Sequence, residues 1–487
     1  MIDNLVKKFF LFSYGSVVVL IIGLANSMIT TRVLSPEIFG KATMYTLAVN
    51  IAVILISFGT DQSFVRFFYE EEEAKRSNLL YSCLKLPLML SIVFTLLVSI
   101  FWGNVTLYLF EDKSFALAVL LVLGVYIFLI NRFSILVIRM QQKGKLYSNI
   151  QIVNKVFSLF FILLMYFVLG ERYEVIILST VLAMMVTNLI ALYKEKEFWH
   201  FSRKSSPKTK FQQIEIIKYS YPLVFTTIIA WLFQSFDKIA LREWSTFTEV
   251  GLYSAAIRII ALINVLQASF TTFWTPVCYE HYEKSPNDTS LYVNVSKMVS
   301  FVMFSVGIVS IAGKDIMALL LGEEYRATAN IMPFLVFIPV LYTISETTVI
   351  GINFAKKTKW HILIAGVSCT FNLVGNILLV PTHGAIGASI ATALSYVVFL
   401  TMRTTISLKF YKVNYGLKRM YVLITVIMVY AVFSIINNSF AMNVIFGFVA
   451  QSLLIFLYKD DLIIFYNEYI KLKLSRVLKN EVGGEEI

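Results

Sequence analysis

The feature that most limits this chain is the repetition of one kind of segment. Uncharged, greasy runs of about 20 residues recur from near the first residue almost to the last, and about 20 apolar residues is the length a helix needs to cross the hydrocarbon core of a bilayer. By that measure the 487 residues hold about fourteen windows. In the first half they run roughly over 11–31, 41–62, 84–108, 115–138, 149–169 and 173–193. In the second half they run roughly over 218–241, 250–276, 295–312, 331–354, 361–380 and 386–408, with a last pair near 420–437 and 440–458. The ninth is the least clean, because Gly313, Lys314 and Asp315 interrupt it. Hydrophobic residues make up 58% of the chain and charged ones 15%, against about 45–50% and 25% in soluble domains. With a mean hydropathy of +0.75, a soluble globular fold is excluded. The sequence predicts an all-α integral membrane protein.

Charge sets the orientation. A net charge of +12 in a soluble protein would suggest nucleic acid. Here the cations fall between greasy segments, so no nucleic-acid partner is expected and the lipid bilayer is the partner. With the N-terminus inside, about 30 of the 42 lysines and arginines lie in cytoplasmic segments. The richest is "YKEKEFWHFSRKSSPKTKF", followed by "KKTK" from Lys356 and "KFYKVNYGLKR" from Lys409. This bias predicts cytoplasmic N- and C-termini in a cytoplasmic (inner) membrane. Lys7 and Lys8 precede a long apolar run with no small-residue cleavage site, so the first span is expected to be retained rather than removed as a signal peptide. In "DDLIIFYNEYIKLKLSRVLK" apolar residues recur near helical spacing among lysines, which predicts an amphipathic helix on the anionic inner leaflet.

Several chemistries have no foothold. Cys83, Cys278 and Cys369 form no CxxC pair and read as small core fillers, not as a disulfide framework or zinc site. His200, His281, His361 and His383 fall in loops or at their edges without ligand spacing. No metal site, catalytic residue or cofactor is expected. No Walker motif is present, so the chain is expected to hydrolyse nothing itself. Whether a coupling ion, H+ or Na+, drives it is left open by the sequence.

The two halves resemble each other. "RVLSPEIFGKATMYTLAVNI" (32–51) lies over "REWSTFTEVGLYSAAIRIIAL" (242–262), with Phe39–Gly40 matching Val250–Gly251 at an offset of about 210 residues. Further on, Phe68–Tyr69–Glu70 falls over Cys278–Tyr279–Glu280. Each copy holds six spans, an even number, so both insert the same way up and are related by an axis along the membrane normal, with a cleft between them. The expected organisation is an N-lobe over 1–200 (six spans), a cytoplasmic linker over 201–217 and a C-lobe over 218–410 (six spans). Two further spans lie over 411–458, and a cytoplasmic tail over 459–487.

Three stretches carry a family likeness. "TTRVLSPEIFGKATMYTLAVNI", "DKIALREWSTFTEVGLYSAAIRI" and "NLVGNILLVPTHGAIGASIATALSYVVF" resemble the bacterial polysaccharide repeat-unit flippases. These belong to the multidrug/oligosaccharidyl-lipid/polysaccharide exporter superfamily. The resemblance covers nearly the whole chain and implies a MATE-like fold of two six-helix lobes with two extra helices. It further implies flipping of an undecaprenyl-pyrophosphate-linked oligosaccharide for capsule, exopolysaccharide or O-antigen assembly, with a polysaccharide polymerase complex as a further partner. The physics agrees, since an isolated charge costs on the order of tens of kcal/mol to bring into a low-dielectric medium by Born estimates. A polar, cationic cleft would remove most of that barrier.

Ionisable residues inside spans are functional candidates by default. Arg258, about seven residues inside span eight and so roughly 10 Å below its outer end, is the leading candidate for a pyrophosphate or sugar contact, because guanidinium offers phosphate a bidentate fork. Glu346, roughly 20 Å into span ten, could balance a cavity cation, carry a coupling proton or pair with a buried cation. Arg132, Lys155 and Arg403 sit about six residues from the inner ends of their spans and complete the cavity set. Asp237 and Lys238, adjacent near the end of span seven, form a second-lobe pair that recurs in the family. Asp61, Gln62 and Arg66 fall at the inner end of span two, where "GTDQSFVR" would form a polar cytoplasmic mouth; the alternative is an ordinary charged helix border.

Two other functions from the same superfamily fit the same composition: a cation-coupled multidrug antiporter and a peptidoglycan-precursor flippase. The cations outnumber the acids within the spans, which favours an anionic substrate. A membrane-embedded sugar polymerase or glycosyltransferase would display catalytic groups on a sizeable loop, and every outer loop reads as short.

Overall fold

The computed structural model describes residues 2–199, 209–437 and 439–465, with side chains from residue 18 to 464. Among them every regular element is helical. In chain order α1 (Ile2–Val33), α2 (Pro36–Ser57), α3 (Thr60–Phe67), α4 (Arg76–Phe110), α5 (Phe115–Met140), α6 (Gly144–Leu169) and α7 (Glu174–Lys194) make the first half. After the basic stretch come α8 (Gln213–Trp244), α9 (Phe247–Ile260), α10 (Asn264–Lys284), α11 (Ser290–Ala312) and α12 (Lys314–Leu319). The short helices α13 (Met332–Leu335), α14 (Phe337–Thr348) and α15 (Ile350–Phe354) follow, then α16 (Lys359–Phe410), α17 (Leu417–Ile436) and α18 (Phe440–Phe465).

Among the described residues ten helices are long and apolar enough to cross a membrane, and two bent pairs bring the number to twelve. The bends are 46° between α9 and α10 and 53° between the 3-10 turn Glu323–Asn330 and the helices after it. Within the twelve, α16 counts once although its 52 residues would reach about 78 Å, against a hydrocarbon core of about 30 Å. Its backbone leaves helical geometry at Gly384 (φ 51, ψ −132), so its two arms correspond to the expected spans over 361–380 and 386–408. The span expected over 41–62 also breaks. α2 ends at Ser57, Phe58 and Gly59 take positive φ, and α3 starts afresh at Thr60. A β-carbon on Gly59 would stand 2.7 Å from the Ser220 carbonyl oxygen, so both the turn and the approach of α8 call for glycine there. Most of the expected linker (residues 201–208) and the amphipathic tail beyond residue 465 lie outside the described residues.

Contacts divide the chain into two compact units. Unit 1 comprises Met1–Ile259, Ala318–Thr328 and Cys369–Ala391; unit 2 holds the remainder. In unit 1, α6 packs on α1 and α7, and α5 packs on α2, α4 and α7. In unit 2, α11 packs on α14, α17 and α18. These units cut the chain differently from the lobes expected over 1–200 and 218–410, because α8 and α9 sit with the first half. The repeated motif explains why. A β-carbon on Gly40 would lie 2.0 Å from the Phe247 carbonyl oxygen, and one on Gly251 would lie 1.9 Å from that of Pro36. The two copies of the motif are therefore locked backbone to backbone, which only glycine permits. Two further contacts fasten the same end of unit 1. The Gly322 N–H donates to Thr31 Oγ1 (3.0 Å) and the Tyr325 hydroxyl to the Leu34 carbonyl (3.0 Å).

Candidate functional site

The candidate site in unit 1 is built on α9. Its sequence, "FTEVGLYSAAIRII", is buried from Val250 to Ala256 and again at Ile259 and Ile260, yet Arg258 among them is accessible. The helix starts at Phe247, which puts Arg258 about 16 Å along it, deeper than the sequence alone suggested. Its guanidinium lies 4.3 Å from the centre of the Phe39 ring. Among the described residues no carboxylate pairs with it. Lys155 on α6 and Lys238 on α8 both feel its charge. Because α6 begins at Gly144, Lys155 is also about 16 Å inside its helix. It too has no acidic partner among the described residues. The Arg258 charge thus bears on a lysine from each of two other helices, with Asp237 beside one of them, an arrangement that a bound anion would relieve.

Next to Lys238, Asp237 is only 3% exposed. It accepts hydrogen bonds from the Tyr253 hydroxyl (2.6 Å), Asn372 Nδ2 (3.0 Å) and Asn376 Nδ2 (2.8 Å). Lys238 is the next residue in the helix and points in a different direction, as successive helical residues do. The sequence signal for these partners is "NLVGN", two asparagines four apart and so on one helix face. Asn376 Oδ1 is buried with no partner. Turning the two amides would present their oxygens beside the carboxylate, and an all-oxygen setting of that kind suits a small hard cation.

Asp61 is buried. It lies on α3 with a side chain 3% exposed, where Arg132 Nε and Nη2 donate to its Oδ2 at 3.0 and 2.5 Å. Gln62 Nε2 adds a third donor at 3.0 Å. Arg66 turns the other way, into an ion pair with Glu70 on the protein surface. Of the trio, Gln62 and Arg66 are exposed and Asp61 is buried.

In unit 2 the structure brings two separate candidates together. Arg403 Nη1 donates to Glu346 Oε1 (2.7 Å) and Ser345 Oγ (2.6 Å), and its guanidinium lies against Phe399 and Tyr342 at 5.0 and 5.4 Å. The side chains are 8% and 14% exposed. The pair is neutral as a unit, so it adds no net positive charge for a ligand. The three cysteines are free, two of them buried, and no group of histidine, cysteine and acidic residues among the described ones could hold a metal ion.

A bundle of this kind, with ten helices among the described residues long and apolar enough to cross a membrane, defines a multi-pass membrane protein, and comparison with known proteins agrees. The fold is similar to that of a lipid II flippase MurJ in an inward closed conformation. The TM-score is 0.69 at 14% identity, covering 92% of this chain and 99% of that one. It is also similar to an inward-facing multidrug resistance MATE family transporter of the MOP superfamily, with a TM-score of 0.60 at 15% identity over 79% of this chain and 93% of that one. A MATE structure in a bent conformation gives 0.52 at 16% identity, over 88% and 96%. No curated protein matches the sequence significantly. The sequence model of the family described as polysaccharide biosynthesis protein matches residues 5–281, more than half of the chain. The chain belongs to that family, and its fold is the MATE-like helical fold that its sequence motifs resemble.

Proposed function

We propose that this protein carries an undecaprenyl-pyrophosphate-linked oligosaccharide repeat unit across the cytoplasmic membrane, from the inner to the outer leaflet, for assembly of a surface polysaccharide. The observation that carries this reading is the group of Arg258, Lys155 and Lys238, set inside membrane-spanning helices without a carboxylate to neutralise Arg258 or Lys155. Phosphate oxygens are the natural complement to such a group, because guanidinium binds them in a bidentate manner and lysine as a point charge. The lipid tail stays in the bilayer while the headgroup crosses through a cationic cleft. Membership of a polysaccharide biosynthesis family supports a sugar-bearing substrate over a drug.

The lobes over 1–200 and 218–410, joined by a cytoplasmic linker, would alternate access to the two sides. A polymerase acting on the delivered unit would be the partner downstream. The membrane potential or a coupling cation would supply direction. If a cation is used, Asp237, Asn372 and Asn376 are the residues that fit it, on the strength of the orphaned buried Asn376 Oδ1. Bound there, the cation would supply positive charge to the Asp237 carboxylate.

Equilibrium binding to the purified protein tests the substrate class. Undecaprenyl pyrophosphate is expected to bind at least tenfold more tightly than undecaprenol, with an advantage that shrinks as salt rises. Equal affinity for the two lipids would contradict the reading.

A further inference from the structure

We propose that Phe39 couples the Arg258 anion site to the seal between α2 and α9, so that a pyrophosphate engaging Arg258 loosens that seal. The inference rests on the substrate reading above and extends it to how binding opens the bundle.

Phe39 is 1% exposed and sits between two groups. The first is the Arg258 guanidinium, 4.3 Å from its ring centre. The second is Tyr325, whose ring meets it edge-on at 6.0 Å and 87°. Tyr325 in turn holds the Leu34 carbonyl, and Gly322, at the head of the same turn, holds Thr31. The residue after Phe39 is Gly40, whose backbone lies against Phe247. Every link from Arg258 to the locked repeat motifs is thus a direct contact or a peptide bond.

The chemistry gives the coupling its sign. Without ligand, Arg258 pairs with no carboxylate among the described residues, and the face of the Phe39 ring adds a cation–π attraction to its charge. That attraction depends on the guanidinium being an unneutralised cation. A pyrophosphate pairing with Arg258 cancels the charge the ring attracts, so Phe39 loses one of its two holds. The seal then rests on backbone contacts between α2 and α9 and on Tyr325 alone. Ligand binding and closure compete for one guanidinium, which is the differential interaction a ligand needs in order to shift a conformational equilibrium.

Spin labels at Glu37→Cys and Thr248→Cys, both exposed on the first turns of α2 and α9, report the separation of the two helices by pulsed electron resonance. The measurement uses the full chain in nanodiscs with its three native cysteines replaced. The parent is expected to show one short distance, and a longer population on addition of undecaprenyl pyrophosphate. Phe39→Leu and Arg258→Gln are each expected to raise the longer population without ligand, roughly 2- to 30-fold, and Phe39→Leu to gain little more from the pyrophosphate lipid. Phe39→Trp, which keeps the ring face, should behave as the parent. If Arg258→Gln keeps the parent's ligand-free distance, Phe39 is merely a packing residue and the coupling is overturned. If Phe39→Leu responds to the lipid as fully as the parent, the coupling is overturned while the substrate reading stands. A parent indifferent to the pyrophosphate lipid contradicts the substrate reading itself.

Discussion

Gly251 approaches Pro36 so closely that a β-carbon on it would stand 1.9 Å from the Pro36 carbonyl oxygen. The matching position in the other copy of the motif, Gly40, does the same to Phe247 at 2.0 Å. Since Pro36 and Phe247 also occupy matching positions, the contact is self-complementary, as at an interface built around a two-fold axis. Gly251→Ala must move backbone, because no side chain can swing aside. The variant is expected to lose about 1–3 kcal/mol of stability by overpacking, and thermal unfolding in detergent measures it. Unchanged stability would mean that α2 and α9 are not in contact in the native protein.

That contact also shows what could be read in advance. The motif pair Phe39–Gly40 and Val250–Gly251 was visible as a repeat, and greasy runs at bilayer length announced the helices, because membrane spans obey a composition rule that hardly depends on neighbours. Partnership was not visible. Arg403 and Glu346 stand far apart in sequence and read as two cavity charges, yet form one ion pair. Asp61 read as part of a polar cytoplasmic mouth, since nothing in "GTDQSFVR" reveals Arg132 on another helix. Arg258 stands out in the sequence by its depth and its guanidinium, but nothing there marks Phe39 as its ring partner. Helix existence is local; pairing is tertiary.

The Asp61–Arg132 pair makes a separate prediction. Removing one member of a buried ion pair typically costs about 3–5 kcal/mol, whereas replacing both with apolar groups of similar volume is often neutral. Arg132 is about a third exposed, so screening reduces the single-variant cost below that range. Arg132→Met and Asp61→Leu should each destabilise, and the double variant should recover most of the loss in a thermal double-variant cycle. Additive losses would show the pair to be uncoupled.

Asp237 yields a prediction about cations. Bound ligand stabilises the folded state according to its concentration relative to Kd, so a cation held beside Asp237 should raise the unfolding temperature as sodium replaces a large organic cation at constant ionic strength. Asp237→Asn should flatten that response. A parent whose unfolding temperature ignores sodium would leave protons or the membrane potential as the source of direction.

The central claim, that Arg258 receives the anionic headgroup during transfer, is tested most directly by translocation in proteoliposomes loaded on one leaflet with an undecaprenyl-pyrophosphate-linked oligosaccharide. Loss of a charge-assisted contact worth about 1.5–3 kcal/mol predicts that Arg258→Ala slows transfer by roughly 10- to 100-fold while the protein still inserts and folds, with Arg258→Lys intermediate. Transfer at the parent rate in Arg258→Ala would contradict the account.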